Sequence, residues 1–205
     1  MSTGNSSLER AAEAHFFLRP MLISALRQHI LTDDARAYLG KNYKNYFEYW
    51  QGSFSQDFFD MTTMIRLGVA TETALRECYM KAKGHSTFQD LKSDSRYVGA
   101  FQRIQPWHTG PNDAARIFEG AGIEIGTIPS ILDAQKVMLH RHLYAHSAGA
   151  VDTRYVKNWK CLTGEDILGD LRFEKFPESD LYWFEPLQSL STLIESLRKF
   201  VTALP

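Results

Sequence analysis

The sequence has only two cysteines among its 205 residues, Cys78 and Cys161, and they lack the spacing of a metal or redox pair. A disulfide scaffold is excluded, and both read as buried or half-buried free thiols. No stretch approaches the roughly 18 uninterrupted apolar residues of a membrane span. The opening MSTGNSSLERAAEAHFFLRP lacks a basic n-region and an apolar h-region, so it does not read as a signal peptide. The expected setting is the cytoplasm, with no membrane partner. An excess of one charge is missing too: 23 basic residues meet 24 acidic ones, for a net charge of −1. No global basic field marks the chain for nucleic acid, which leaves room only for a local patch. There is no repeat of fixed period and no strand-rich zone.

What is present is an ordinary globular balance, 44% hydrophobic and 23% charged, which rules out a disordered or collagen-like chain. A chain of this length buries roughly 70% of its unfolded surface, enough for one domain and an extension. Helical spacing dominates. Residues 8–18 are rich in alanine and run to Pro20, which closes or kinks them. Thr32-Asp33-Asp34 offers a cap and acidic first turn for a helix over 33–50, stopped by Gly52. Its aromatic cluster, Tyr43, Tyr46, Phe47, Tyr49 and Trp50, reads as an interhelical or subunit contact.

The clearest helix is Phe54 to Lys83, with Phe54, Phe58, Met61, Ile65, Gly68, Leu75 and Tyr79 on one stripe. Glu72 lies on that stripe, and a carboxylate there needs a cationic partner. Gly84-His85-Ser86 ends the helix. Asn112-Asp113 precedes a short helix over Ala114–Glu119, and Pro129-Ser130 opens another that runs through HRHLYAHS to about Gly149. Val151–Lys160 reads as further helix, Thr163–Phe176 as loop or a short ribbon, and Leu187 to Val201 as an amphipathic last helix. Trp107 and His108 fall in a Pro/Gly-flanked loop, where packing and base stacking are both open. The fold class expected is all-α, an antiparallel helical bundle.

The chemically loaded stretch is His140 to Ser147, and three readings compete for it. His142 and His146, four residues apart, share a helix face and could hold a metal. A zinc site, however, needs a third ligand and usually a carboxylate base, and no Glu follows His142 as the HExxH pattern requires. The histidines could instead complement the negative end of the helix dipole. The third reading is an arginine paired with a histidine a few residues on. That spacing also occurs at Arg10/His15 and Arg103/His108, but the latter spans Pro106, and the former has Ala11 after the arginine and is expected outside the bundle core.

Around Arg141 and His146 the text LHRHLYAHSAGAVDTRYV resembles a subgroup of the HEPN family that reads R-H-x-x-x-H-x-x-G-x-V-D-x-x-Y. Arg141, His142, His146, Gly149, Val151, Asp152 and Tyr155 match it. Gly122-Ile123-Glu124-Ile125 resembles the turn found just before that helix, and the helix with Glu72 resembles the family's first core helix. The resemblance covers roughly 54–203 and makes 53–205 a HEPN-like bundle domain behind an N-terminal helical extension, 1–52.

The resemblance implies a metal-independent endoribonuclease, without cofactor, active on RNA as a symmetric homodimer. In family terms it would be a toxin or antiviral defence effector, restrained by an antitoxin or other regulatory partner. His146 would be general base or acid and Arg141 the phosphate clamp, with His142, Glu72 and Ser147 binding or orienting; Glu72 as the buried acid that holds Arg141 or as a structural ion pair away from the site, and Ser147 as a plain cap, stay open. Histidine suits both proton transfers at neutral pH, and a forked guanidinium suits a phosphorane. Five residues of α-helix turn about 500°, so Arg141 and His146 point about 140° apart, and a two-fold interface would let two copies furnish one cleft. The alternative is a HEPN-like module that dimerises, or binds a nucleotide or partner protein, without catalysis.

Overall fold

The thirty residues Phe54–Lys83 form one helix with the limits the periodicity predicts. The structure is a computed structural model, and it describes residues 3–27, 32–34, 37, 54–94, 114–147, 149–167, 173–175, 182–184 and 187–205. Before the long helix come α1 (Thr3–Glu13) and α2 (Arg19–Arg27), so the long helix is α3. After it come α4 (Phe88–Ser93), α5 (Ala114–Glu119), α6 (Ile131–Ser147), β1 (Ala150–Val151), α7 (Thr153–Thr163), β2 (Phe173–Lys175), β3 (Tyr182–Phe184) and α8 (Leu187–Ala203). The chain is predominantly helical, as expected. The expected aromatic helix beyond Asp34, Gly52, and the loop with Trp107 and His108 lie outside the described residues.

Helix α3 is central. It packs on α1 and α6, while α8 touches all three. Its burial exceeds the single stripe expected of it: Met64, Leu67, Ala70, Ala74 and Cys78 are buried along with Gly68, Leu75 and Tyr79. The reason lies in α1, where a Cβ added to Gly4 would stand 2.6 Å from the Ala74 nitrogen. Two small residues let the backbones approach closely. The first amides of α1 then donate to the Glu77 carboxylate, from Thr3 at 2.9 Å and from Gly4 at 3.1 Å, which satisfies the positive end of that helix. Leu8, Ala11 and Ala12 thus share one core with α3, α6 and α8, although they belong to the expected N-terminal extension.

Pro20 does not close the first helix. The chain widens into a π-helical turn over Ala14–Leu18, in which the Arg19 amide donates to the Ala14 carbonyl, and continues as α2. Proline clashes with the carbonyl four residues back, and a π-turn is one way of relieving that clash. Of the pair Arg10/His15 only the arginine is exposed: His15 is buried, with Nε2 2.9 Å from the Ser191 hydroxyl.

The strands form a small antiparallel sheet in the order β1-β3-β2, with Val151 opposite Tyr182 and Phe173 opposite Phe184. Phe173 thus lies in the short ribbon expected near it. Val151, by contrast, is strand rather than helix. Asp152 caps α7 by accepting a hydrogen bond from the Tyr155 amide at 2.7 Å, so the helix starts only at Thr153. Among the described residues no helix is long and apolar enough to cross a membrane. Cys78 is buried, and burial pushes its thiol up to about 11 against the opposing pull of Lys81, whereas Cys161 is exposed rather than buried or half-buried.

Candidate active site

Helix α6 carries every singled-out residue except Glu72, and successive turns send them to different neighbours. Arg141 faces α3. Its aliphatic stem lies across Gly68, where an added Cβ would meet the Arg141 Cβ at 2.4 Å. No side chain larger than hydrogen fits there while α6 keeps its place. One turn along α3, Glu72 accepts the Arg141 guanidinium, Nη1 to Oε2 3.2 Å. The other carboxylate oxygen of Glu72 takes Nη2 of Arg76, one turn further on. Glu72 is 9% exposed, and the sequence demand for a cation on the core stripe is met by two arginines.

The Arg141 side chain remains 36% exposed, so the cation is anchored at one side and open to solvent at another. Its Nε, however, is buried without a hydrogen-bond partner among the described residues. Such an unpaired donor costs about 1–3 kcal/mol, which the core helices supply by holding the side chain down.

His142 and His146 lie together elsewhere on the helix surface. Their ring centroids are 4.5 Å apart, with the planes inclined at 50°. His142 is half-buried and His146 exposed. Desolvation first, then the positive charges of His146, Arg154 and Arg141, hold the His142 imidazole below its ordinary value, with Asp152 pulling the other way. The shift favours the neutral imidazole, which can both accept and donate a hydrogen bond. Ser147 is half-buried at the last position of the helix.

The structure thus brings Glu72 to Arg141 and His142 to His146, but leaves Arg141 and His146 on different faces of one regular helix. Two residues of the arrangement went unnoticed in the sequence. Arg76 has a local signal, being four residues after Glu72. Gly68 stands in the sequence as a small residue on the stripe, and nothing local reveals which side chain it makes room for.

The rest of the matched pattern serves the scaffold. Gly149 adopts φ +96°, a left-handed conformation that a side chain would strain, and so turns the chain out of α6. Val151 is buried in β1. Asp152 caps α7, and the buried Tyr155 places its hydroxyl 2.8 Å from Nδ1 of His140. His140 is fully buried, its ring stacked on Phe184 at 3.9 Å and 13°. Tyr144 is buried and donates to the Phe184 carbonyl. Among the described residues no group of three or more His, Cys, Asp or Glu is arranged to hold a metal ion.

No family model matches the chain, and no curated protein and no solved structure is similar to it at a significant level.

Proposed function

We propose that the chain is a metal-independent endoribonuclease of the HEPN type, built on a HEPN-like bundle and acting as a symmetric homodimer in the cytoplasm. Its role would be that of a toxin or antiviral effector, held in check by an antitoxin or other regulatory partner. One observation carries the reading: Glu72 anchors the half-exposed Arg141 on the helix that also presents the paired rings of His142 and His146. A fixed guanidinium and a solvent-facing imidazole are the two groups that RNA cleavage without metal needs.

In the reaction His146 takes the proton of a 2′-hydroxyl, and the 2′-oxygen attacks the adjacent phosphorus. Arg141 stabilises the negative charge that gathers on the phosphorane. The 5′-oxygen leaves with a proton from an imidazole, and the products are a 2′,3′-cyclic phosphate and a 5′-hydroxyl. His142 orients the phosphate. Because Arg141 and His146 diverge on one helix, two copies meeting along α6 provide the cleft.

The test is incubation of the purified protein with total RNA in EDTA, followed by mapping of the cleaved termini. Cyclic-phosphate and 5′-hydroxyl ends are expected, lost in His146→Ala. Ends bearing a 5′-phosphate, or activity abolished by the chelator, would overturn the mechanism. A second reading, a helical module that dimerises or binds a nucleotide or partner without catalysis, is favoured by the engagement of Arg141 with Glu72, which is also what a purely structural ion pair looks like.

A further inference from the structure

The two histidines of the proposed site are placed to do something the cleavage reaction does not require. They are four residues apart on α6, their ring centroids are 4.5 Å apart, and their planes are inclined rather than stacked flat. Metal–nitrogen bonds of about 2.0–2.1 Å bring two imidazole nitrogens on one ion to within about 4 Å of each other. Ring centroids 4.5 Å apart lie within the span that one such ion bridges. His146 is exposed, so an ion can arrive from solvent, and half-buried His142 is the more restrained member of the pair. Both stand in the last turns of α6, where the carbonyl end of the helix favours a positive charge. Arg141 and Arg154 oppose a cation at this place, and Asp152 favours it.

We propose that His142 and His146 form a two-point chelate for a divalent transition ion of the zinc, nickel and copper class, and that filling it silences the ribonuclease. The silencing rests on the reading of His146 as the proton-transfer group, whereas the binding does not. Imidazole is a favoured ligand for these ions, and affinity for a nitrogen site rises from nickel to copper. Two protein ligands leave the remaining positions of the ion to water, so binding is reversible and a chelator removes it. Coordination occupies the nitrogen lone pair of His146, and that same lone pair has to accept the 2′-hydroxyl proton. The ion is therefore an inhibitor here. Chelation should raise activity, whereas in a metal-dependent nuclease it would abolish it.

The experiment uses the full chain, stripped with EDTA and dialysed, then titrated calorimetrically with nickel and zinc salts in a non-coordinating buffer. Saturable binding of one ion per chain is expected. His142→Ala and His146→Ala should each weaken it by about tenfold or more, with an unchanged helical circular dichroism spectrum. Cys161→Ser, which removes an exposed soft ligand outside the site, should bind as the unaltered protein does. Absence of saturable binding, or binding that survives His146→Ala, overturns the chelate whether or not the protein cuts RNA. If it does cut RNA, zinc should suppress cleavage and EDTA restore it. Binding without suppression overturns the regulatory half and leaves the proposed ribonuclease standing.

Discussion

Arg141 and His142 are neighbours in the chain and opposites in environment. The arginine is pressed into a notch that Gly68 leaves open and is tied to Glu72, both on core helix α3. The histidine packs its ring 4.5 Å from that of His146, on a face of the helix away from the Glu72 carboxylate. The difference separates, on consecutive residues, an anchored cation from a half-buried imidazole paired with an exposed one. It also shows why one copy of this helix does not assemble the proposed chemistry: what anchors Arg141 points it away from His146.

The comparison breaks most visibly through the rate of RNA cleavage. On the proposed mechanism Arg141→Ala and His146→Ala should each lower it by about 10² or more, one by removing the charge proposed to meet the phosphorane and the other the proposed base. His142→Ala should cost less. Equal losses at His142 and His146 would dissolve the distinction between orienting and proton-transferring imidazoles. Single-turnover rates measure both.

Stability should respond on the Arg141 side. Removing Glu72 leaves two guanidinium groups facing each other beside the core, both about one-third exposed. Glu72→Ala should therefore cost about 2 kcal/mol, between the values for exposed and for dry ion pairs. An unchanged urea midpoint would show that the pair anchors nothing. A smaller effect belongs to the scaffold half of the matched pattern: Tyr155→Phe removes the partner of His140 Nδ1 and should cost about 1 kcal/mol, read by the same denaturation.

The smallest expected effect is a slope with pH. Burial first, and the Arg19 cation, hold His15 below its ordinary value of 6.5 against the pull of Asp60, and desolvation does the same to His142. For both, the unfolded chain binds a proton more readily than the folded one. The stability of the neutral forms is complete above pH 6.5 and is lost as pH falls through the lowered folded values. Melting temperature should fall between about pH 7 and pH 5. His15→Gln should flatten that fall more than an exposed substitution does, and an unaltered slope would refute the assignment.

Much of this molecule could be read from local pattern. The limits of α3 and α5 and the end of α6 follow from apolar spacing, caps and glycines, which act within a few residues. Glu72 was legible as a residue in need of a cation, because charge on a core stripe is costly wherever the stripe packs. Its choice of Arg141 was expected, but the share taken by Arg76 and the notch at Gly68 were not. The scaffold duties of Gly149, Asp152 and Tyr155 were hidden inside a pattern read for chemistry. His15, expected outside the core, is buried and meets the hydroxyl of a serine 176 positions away in the chain.

The sequence by itself determined the helical class, the placement of Arg141, His142 and His146 on one helix, and their angular divergence, since a helix's turn per residue is set by its backbone hydrogen bonds. Only the tertiary structure decided which of them is anchored and which is open. Packing α1, α6 and α8 around α3 is a matter of which distant small residues allow close approach: Gly4 against Ala74, and Gly68 against Arg141. Nor could local pattern bring Ala150–Val151 beside Tyr182–Trp183, because strand pairing joins residues whose backbone groups are satisfied only by a partner far along the chain.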